Sequence, residues 1–172
     1  MEQAYLHTED PQEREQQIQL VGFFIGKEQF GVDILMVQEI IRTAPVTPVP
    51  NSPDFIEGVI NLRGSIIPVI DLRKRLNLVK ENGVKEAGTR ILIVKVDERV
   101  TGFVVDSVSK VLKIQGGAIE PAPDIVLAGL KSKYIRGVCK IDQSLLILLD
   151  FSKILQVGEI KKLKEFETAD RN

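Results

Sequence analysis

Apolar residues in this chain come in short runs punctuated by Gly, Pro and charged clusters, and few runs hold a helical period. Ile18–Ile25 reads as a strand, Gly26-Lys-Glu-Gln29 as a turn, and Phe30–Ile34 as extended chain again. Leu35–Ile41 fits either a helical turn or a strand, because periodicity cannot separate the two over so few residues. The reading adopted is a helical turn around Asp33–Val37 and a strand from Gln38. Pro45, Pro48, Pro50 and Pro53 remove donors and restrict each preceding residue, so 43–53 is an extended connector. Val59–Leu62 and Ile66–Ile70 form a hairpin whose tip is Arg63-Gly64, glycine supplying the positive φ that tight hairpins need. Leu72–Val79 reads as a short helix and 80–88 as a polar loop.

The second half repeats the order. Arg90–Val96 and Val100–Val105 are strands around the turn Asp97-Glu-Arg99. Asp106–Leu112 carries the same ambiguous pattern as 35–41, and 116–124 is a second Gly/Pro connector. Tyr134–Asp150 holds two strands, and Phe151–Gln156 is a short helix. The stretch 58–76 aligns without gaps on 137–155, with Gly, Val, Ser, Asp, Lys and Leu coinciding. Upstream, Gly31–Ile34 aligns on Gly102–Val105 and Val37 on Val108. The chain is therefore mainly β, a duplication of two subdomains of about five short strands each, too small to be stable singly. Packed together, two such barrels would share one larger core. The bounds are about 18–85 and about 89–157, with exchange of strands between the subdomains left open. Residues 1–17 form a polar, flexible tail, and 158–172 a charged helix or tail.

The copies differ at the tip. Asn61, Arg63 and Gly64 stand against Lys140, Asp142 and Gln143. An arginine on a turn is by default a solvated side chain. A purely structural turn should keep its glycine, however, so the first tip is the candidate for a special task. A strand after Val37 running beside this hairpin would bring Glu39 to Arg63 as an ion pair that positions the turn.

Composition narrows the chemistry. Lys and Arg total 23 against 24 Asp and Glu, and aromatics make up 5% with no Trp, so neither a basic field nor a stacking platform for nucleic acid is present. A small barrel binding nucleic acid would need both. The one His lies in the N-terminal tail, and there is no Cys/His set for zinc, no nucleophile–base pair and no phosphate-binding glycine loop. No enzyme constellation and no cofactor site is expected. Asp71 and Asp150 match across the repeat and sit where an Asp caps a helix. The lone Cys139, in an apolar run, reads as a buried small hydrophobe. No apolar stretch long enough to insert in a membrane occurs, which predicts a cytoplasmic chain.

Val37-Gln-Glu-Ile40, the connector ending Asn51-Ser-Pro-Asp-Phe-Ile-Glu-Gly-Val59, Asn61-Leu-Arg-Gly64 and Ile67-Pro-Val-Ile-Asp-Leu72 together resemble the CheW family of bacterial chemotaxis coupling proteins. Gly102–Val108 and Pro121-Ala-Pro123 add to the likeness, which covers about 18–157. The resemblance implies two five-stranded SH3-like β-barrels forming a CheW-like fold. It implies a non-enzymatic adaptor that bridges methyl-accepting chemoreceptors, through their cytoplasmic signalling tip, and the regulatory domain of the histidine kinase CheA. Such adaptors are cytoplasmic and recruited to membrane-associated receptor arrays. Carried over by position, the receptor-binding set is Val37, Glu39, Gly58, Asn61, Leu62, Arg63 and Gly64. Asp124 and Ile125 fall in the loop used for kinase contacts, where Ile125 and Glu120 depart from the usual pattern. The length leaves no room for the receiver or kinase domains of related proteins.

Overall fold

A computed structural model of the chain describes residues 16–78, 86–122 and 132–155. Ten strands are present in them: β1 (Gln17–Ile25), β2 (Glu28–Asp33), β3 (Val37–Ile41), β4 (Ile56–Leu62), β5 (Ser65–Asp71), β6 (Arg90–Val96), β7 (Arg99–Val105), β8 (Ser107–Gln115), β9 (Ile135–Ile141) and β10 (Ser144–Leu149). Two one-turn helices, α1 (Leu72–Arg75) and α2 (Phe151–Ile154), follow β5 and β10. Each is capped by the preceding aspartate, Asp71 accepting from the Lys74 N–H and Asp150 from the Lys153 N–H, both at 3.3 Å.

The strands form two five-stranded sheets, ordered β8-β1-β2-β10-β9 and β3-β6-β7-β5-β4. They do not divide the chain into contiguous halves. The hairpin β1–β2 joins the strands of the second copy, and β6–β7 joins those of the first. The strand exchange left open by the sequence is thus the arrangement found, and bounds of 18–85 and 89–157 do not delimit the sheets. Each exchanged hairpin docks by a parallel pairing, β2 on β10 and β7 on β5.

The duplication is legible bond by bond. The Asp71 N–H donates to the Phe55 carbonyl at 2.8 Å, and 79 residues on, the Asp150 N–H donates to that of Tyr134 at 2.9 Å. Each sheet curls until the connector leaving one edge reaches the other. Thr47 pairs with Val59 on the outer edge of β4 through two bonds of 2.8 and 2.9 Å, and Glu120 pairs likewise with Val138 on β9. The curl is strong, but a single bridge closes each gap, so the barrels are open-sided.

Both faces of most strands are covered, which explains why the sequence shows apolar runs rather than clean alternation. Ile91 and Ile93 of β6 turn into the curl of their own sheet with Ile60, Ile67 and Val69. Leu92, Val94 and Val96 turn the other way, into the core between the sheets, with Phe23, Phe30, Phe103 and Phe151. Leu20, Leu112, Cys139, Leu146 and Leu148 fill the second curl. The shared larger core anticipated from the small subdomains is this middle layer. Cys139 is 1% exposed, and burial, then the Glu120 charge, raises its thiol pKa above the ordinary value.

The two copies diverge at one junction. Residues Ile34–Met36 form a 3-10 turn before β3, as expected. Their counterparts near Asp106 do not, because β8 runs straight from Ser107 and pairs with β1 along its length.

Candidate functional site

The β4–β5 turn is built by local chemistry. Arg63 and Gly64 both have positive φ, 52° and 90°, the backbone of a two-residue hairpin turn. Asn61 Oδ1 accepts the Gly64 N–H at 2.8 Å and fixes the loop from within. The aligned residue of the second copy, Asp142, has the same left-handed φ, 54°. Gln143, aligned with Gly64, has no positive φ, so the two turns share their first position only, and both the arginine and the glycine distinguish the first copy.

Arg63 makes a forked ion pair with Glu39. Its Nη2 bonds Glu39 Oε1, and its Nη1 lies 3.3 Å from Oε2. The Arg63 hydrogen bond, then its charge, lowers the Glu39 pKa, and the pair raises that of Arg63. The guanidinium is 72% exposed and the carboxylate 29%. The expected ion pair exists, but not for the expected reason. β3 does not run beside the hairpin; β3 and β4 lie at opposite edges of their sheet, and the curl brings the edges together.

Behind the pair lies an open groove of about 370 Å³, lined by Gln38, Leu62, Arg63, Ser65, Ile66, Ile67, Glu98, Arg99 and Val100. Its surface is mainly polar, from Gln38, Arg63, Ser65, Glu98 and Arg99, with Leu62, Ile66 and Val100 adding smaller apolar patches. Its rim carries Arg63 and Arg99 against Glu39 and Glu98, with Lys95 3.4 Å from Glu98. An open groove that mixes charged side chains with small apolar patches suits a peptide or helix surface more than a small molecule.

Of the residues singled out by sequence, Glu39, Asn61, Leu62, Arg63 and Gly64 come together here. Val37 does not join them. The β3–β6 register shifts between Val37 and Glu39, so Val37 packs on the intersheet core opposite Val94 while Glu39 lies opposite Ile93. Gly58 sits near the far end of β4, roughly 13 Å along the strand from Leu62. It is buried at φ +147°, where a Cβ would stand 2.2 Å from the Thr47 carbonyl oxygen. Asp124 and Ile125 lie outside the described residues. The β6–β7 turn, with Glu98 and Arg99, was missed. Its signal was the exchanged hairpin, which contiguous halves conceal.

Two curled sheets related by duplication, with exchanged hairpins and an ion-paired turn over a groove, define a double β module of the SH3-like kind. The chain belongs to the CheW-like domain family, whose profile matches residues 19–159. It is 41% identical over 139 residues to chemotaxis protein CheW of Klebsiella aerogenes, covering 80% of this chain and 81% of the relative. It is 35% identical over 153 residues to chemotaxis protein CheW of Treponema pallidum, covering 87% and 88%. The crystal structure of scaffolding protein TtCheW from Thermoanaerobacter tengcongensis is similar at a TM-score of 0.75 and 35% identity, covering 83% of this chain and 94% of that one. The fold is that of a chemotaxis scaffold protein.

Proposed function

We propose that this chain is a non-enzymatic coupling adaptor that bridges methyl-accepting chemoreceptors and the histidine kinase CheA, so that receptor state controls kinase activity. The observation that carries the reading is the Arg63–Glu39 pair, held beside an open groove that mixes charged side chains with Leu62, Ile66 and Val100. Leu62, Ile66 and Val100 take apolar side chains of the receptor's cytoplasmic signalling tip, and the ion pair sets the rim against which the tip registers. The kinase regulatory domain is contacted through Asp124 and Ile125. The adaptor works in the cytoplasm and is recruited to membrane-associated receptor arrays. Among the described residues no helix is long and apolar enough to cross a membrane, in keeping with recruitment through partners.

The test is the affinity of Arg63→Ala and Glu39→Ala for a receptor signalling-tip hairpin. Losing one charged contact costs about 1–3 kcal/mol, roughly ten- to a hundredfold in Kd. Both side chains are at the surface, so the circular dichroism spectrum and melting temperature should hardly move. Wild-type affinity in both variants would remove the turn from the site.

A further inference from the structure

Outside their shared apolar core, the two sheets are tied by polar contacts that α1 makes across the duplication. Arg73 of α1 pairs with Asp106. Arg75 donates from Nε and Nη2 to the Ile154 carbonyl of α2, at 3.1 and 2.8 Å. Its guanidinium lies 5.0 Å from the Phe55 ring centroid and 4.9 Å from that of Tyr134. Phe55 and Tyr134 are equivalent positions 79 residues apart, so Arg75 sits at the local axis relating the copies. At the same offset, Arg73 and Arg75 correspond to Ser152 and Ile154, which carry no charge. The device is present in one copy only.

Asp106 is where the ties converge. By itself it makes the β7–β8 crossover between the sheets, since β7 ends at Val105 and β8 begins at Ser107; the other crossover, β2 to β3, runs through Ile34–Met36. Its N–H donates to the Phe24 carbonyl at 3.0 Å, and its Oδ2 accepts both the Gly26 N–H, at 2.6 Å, and the Arg73 guanidinium. One carboxylate thus joins the β1–β2 turn, the crossover and α1. The Arg73 side chain is 11% exposed and that of Asp106 20%. Apolar burial supplies most of the attraction between the sheets but is itself non-directional. A buried, hydrogen-bonded ion pair adds little net stability, but it specifies register. α1 also follows β5 directly, so it connects the hairpin bearing Arg63 to the other sheet.

We propose that Asp106, with Arg73, is a positioning clamp that fixes the orientation of the β8-β1-β2-β10-β9 sheet relative to the hairpin bearing Arg63. The clamp stands on geometry alone; its consequence for coupling rests on the adaptor reading. That consequence is that loosening it leaves receptor-tip affinity intact while receptor control of the kinase falls.

Residual dipolar couplings of backbone amides test it, on the wild type and on Asp106→Asn. In the wild type both sheets should fit one alignment tensor. In Asp106→Asn they should need two, and Gly26 amide exchange should quicken roughly tenfold, the loss of one charge-assisted bond. A single tensor for the variant overturns the clamp. Should Asp106→Asn fail to fold, Arg73→Met/Asp106→Asn removes both charges together, and one tensor there, or failure to fold again, also overturns it. Absence of receptor-tip binding by the wild type would sink the adaptor reading instead, with the couplings still deciding the clamp.

Discussion

Replacing Gly58 with alanine should destabilise the fold severely, and the structure gives the size. At φ +147° a new Cβ would lie 2.2 Å from the Thr47 oxygen, 2.7 Å from its carbonyl carbon and 2.9 Å from Val46 Cγ1. The first two are backbone atoms, so the connector must move. Moving it breaks the two Thr47–Val59 bonds that close the curled sheet, at about 1 kcal/mol each. Forcing a non-glycine residue into that backbone region adds about 1–3 kcal/mol. The total is about 3–5 kcal/mol, a large part of the ~5–15 kcal/mol that holds a domain together. Gly64→Ala is the control. Its φ is +90° and no atom lies within 4 Å of the added Cβ, so only the backbone penalty of about 1–2 kcal/mol applies. Urea unfolding followed by circular dichroism measures both. Equal losses in the two variants would refute the reasoning, since the connector would then not be held where the structure puts it.

Two further expectations concern ionisation. Glu39 should titrate below its ordinary value of 4.5, and Arg63→Ala should move the midpoint back up, followed by NMR of the side-chain carboxyl carbon. Its folded pKa is depressed, so whatever the pair contributes to stability is present above the unfolded pKa and fades as pH falls through the folded one; an unmoved midpoint would mean no pair in solution. Glu57 is the opposite case, raised above 4.5 by burial first and then by the charge and hydrogen bond of Asp71. The folded state holds a proton that the unfolded chain releases, so stability should drop as pH rises from about 4.5 through the folded value. Glu57→Gln should flatten that part of the pH–stability curve and be the more stable protein above it; an unchanged curve would contradict the assignment.

How far the sequence could be read follows from what is local. Strands, turns and caps depend on neighbours in the chain, and β6, with Ile91, Leu92, Ile93 and Val94 in one run, was found at its observed bounds. The duplication was visible because 58–76 and 137–155 keep the same hairpin and the same capping aspartate. Pairing between distant strands was not visible. Nothing in the residues of β6–β7 says that they sit with β3–β5, so Glu98 and Arg99 escaped the candidate set although they line the groove. The Glu39–Arg63 pair was foreseen from complementary charge, but curl rather than adjacency produces it. Val37 was misplaced for a smaller reason. It entered the set by family likeness, and the register shift before Glu39 turns the two residues to different faces without leaving a mark in the composition. Whether 106–112 turns or extends stayed open, because periodicity over seven residues cannot weigh a long pairing such as that of β8 with β1.

Labelled protein titrated with a receptor signalling-tip hairpin, and separately with the kinase regulatory domain, tests the central claim most directly. The account predicts two distinct sets of amide shifts. The receptor hairpin should perturb Glu39, Leu62, Arg63, Ile66 and Val100 around the groove, and the kinase domain should perturb a different surface that leaves the groove free. Shifts from neither partner, or one surface contested by both, would contradict a bridging adaptor while leaving the duplicated β fold as described.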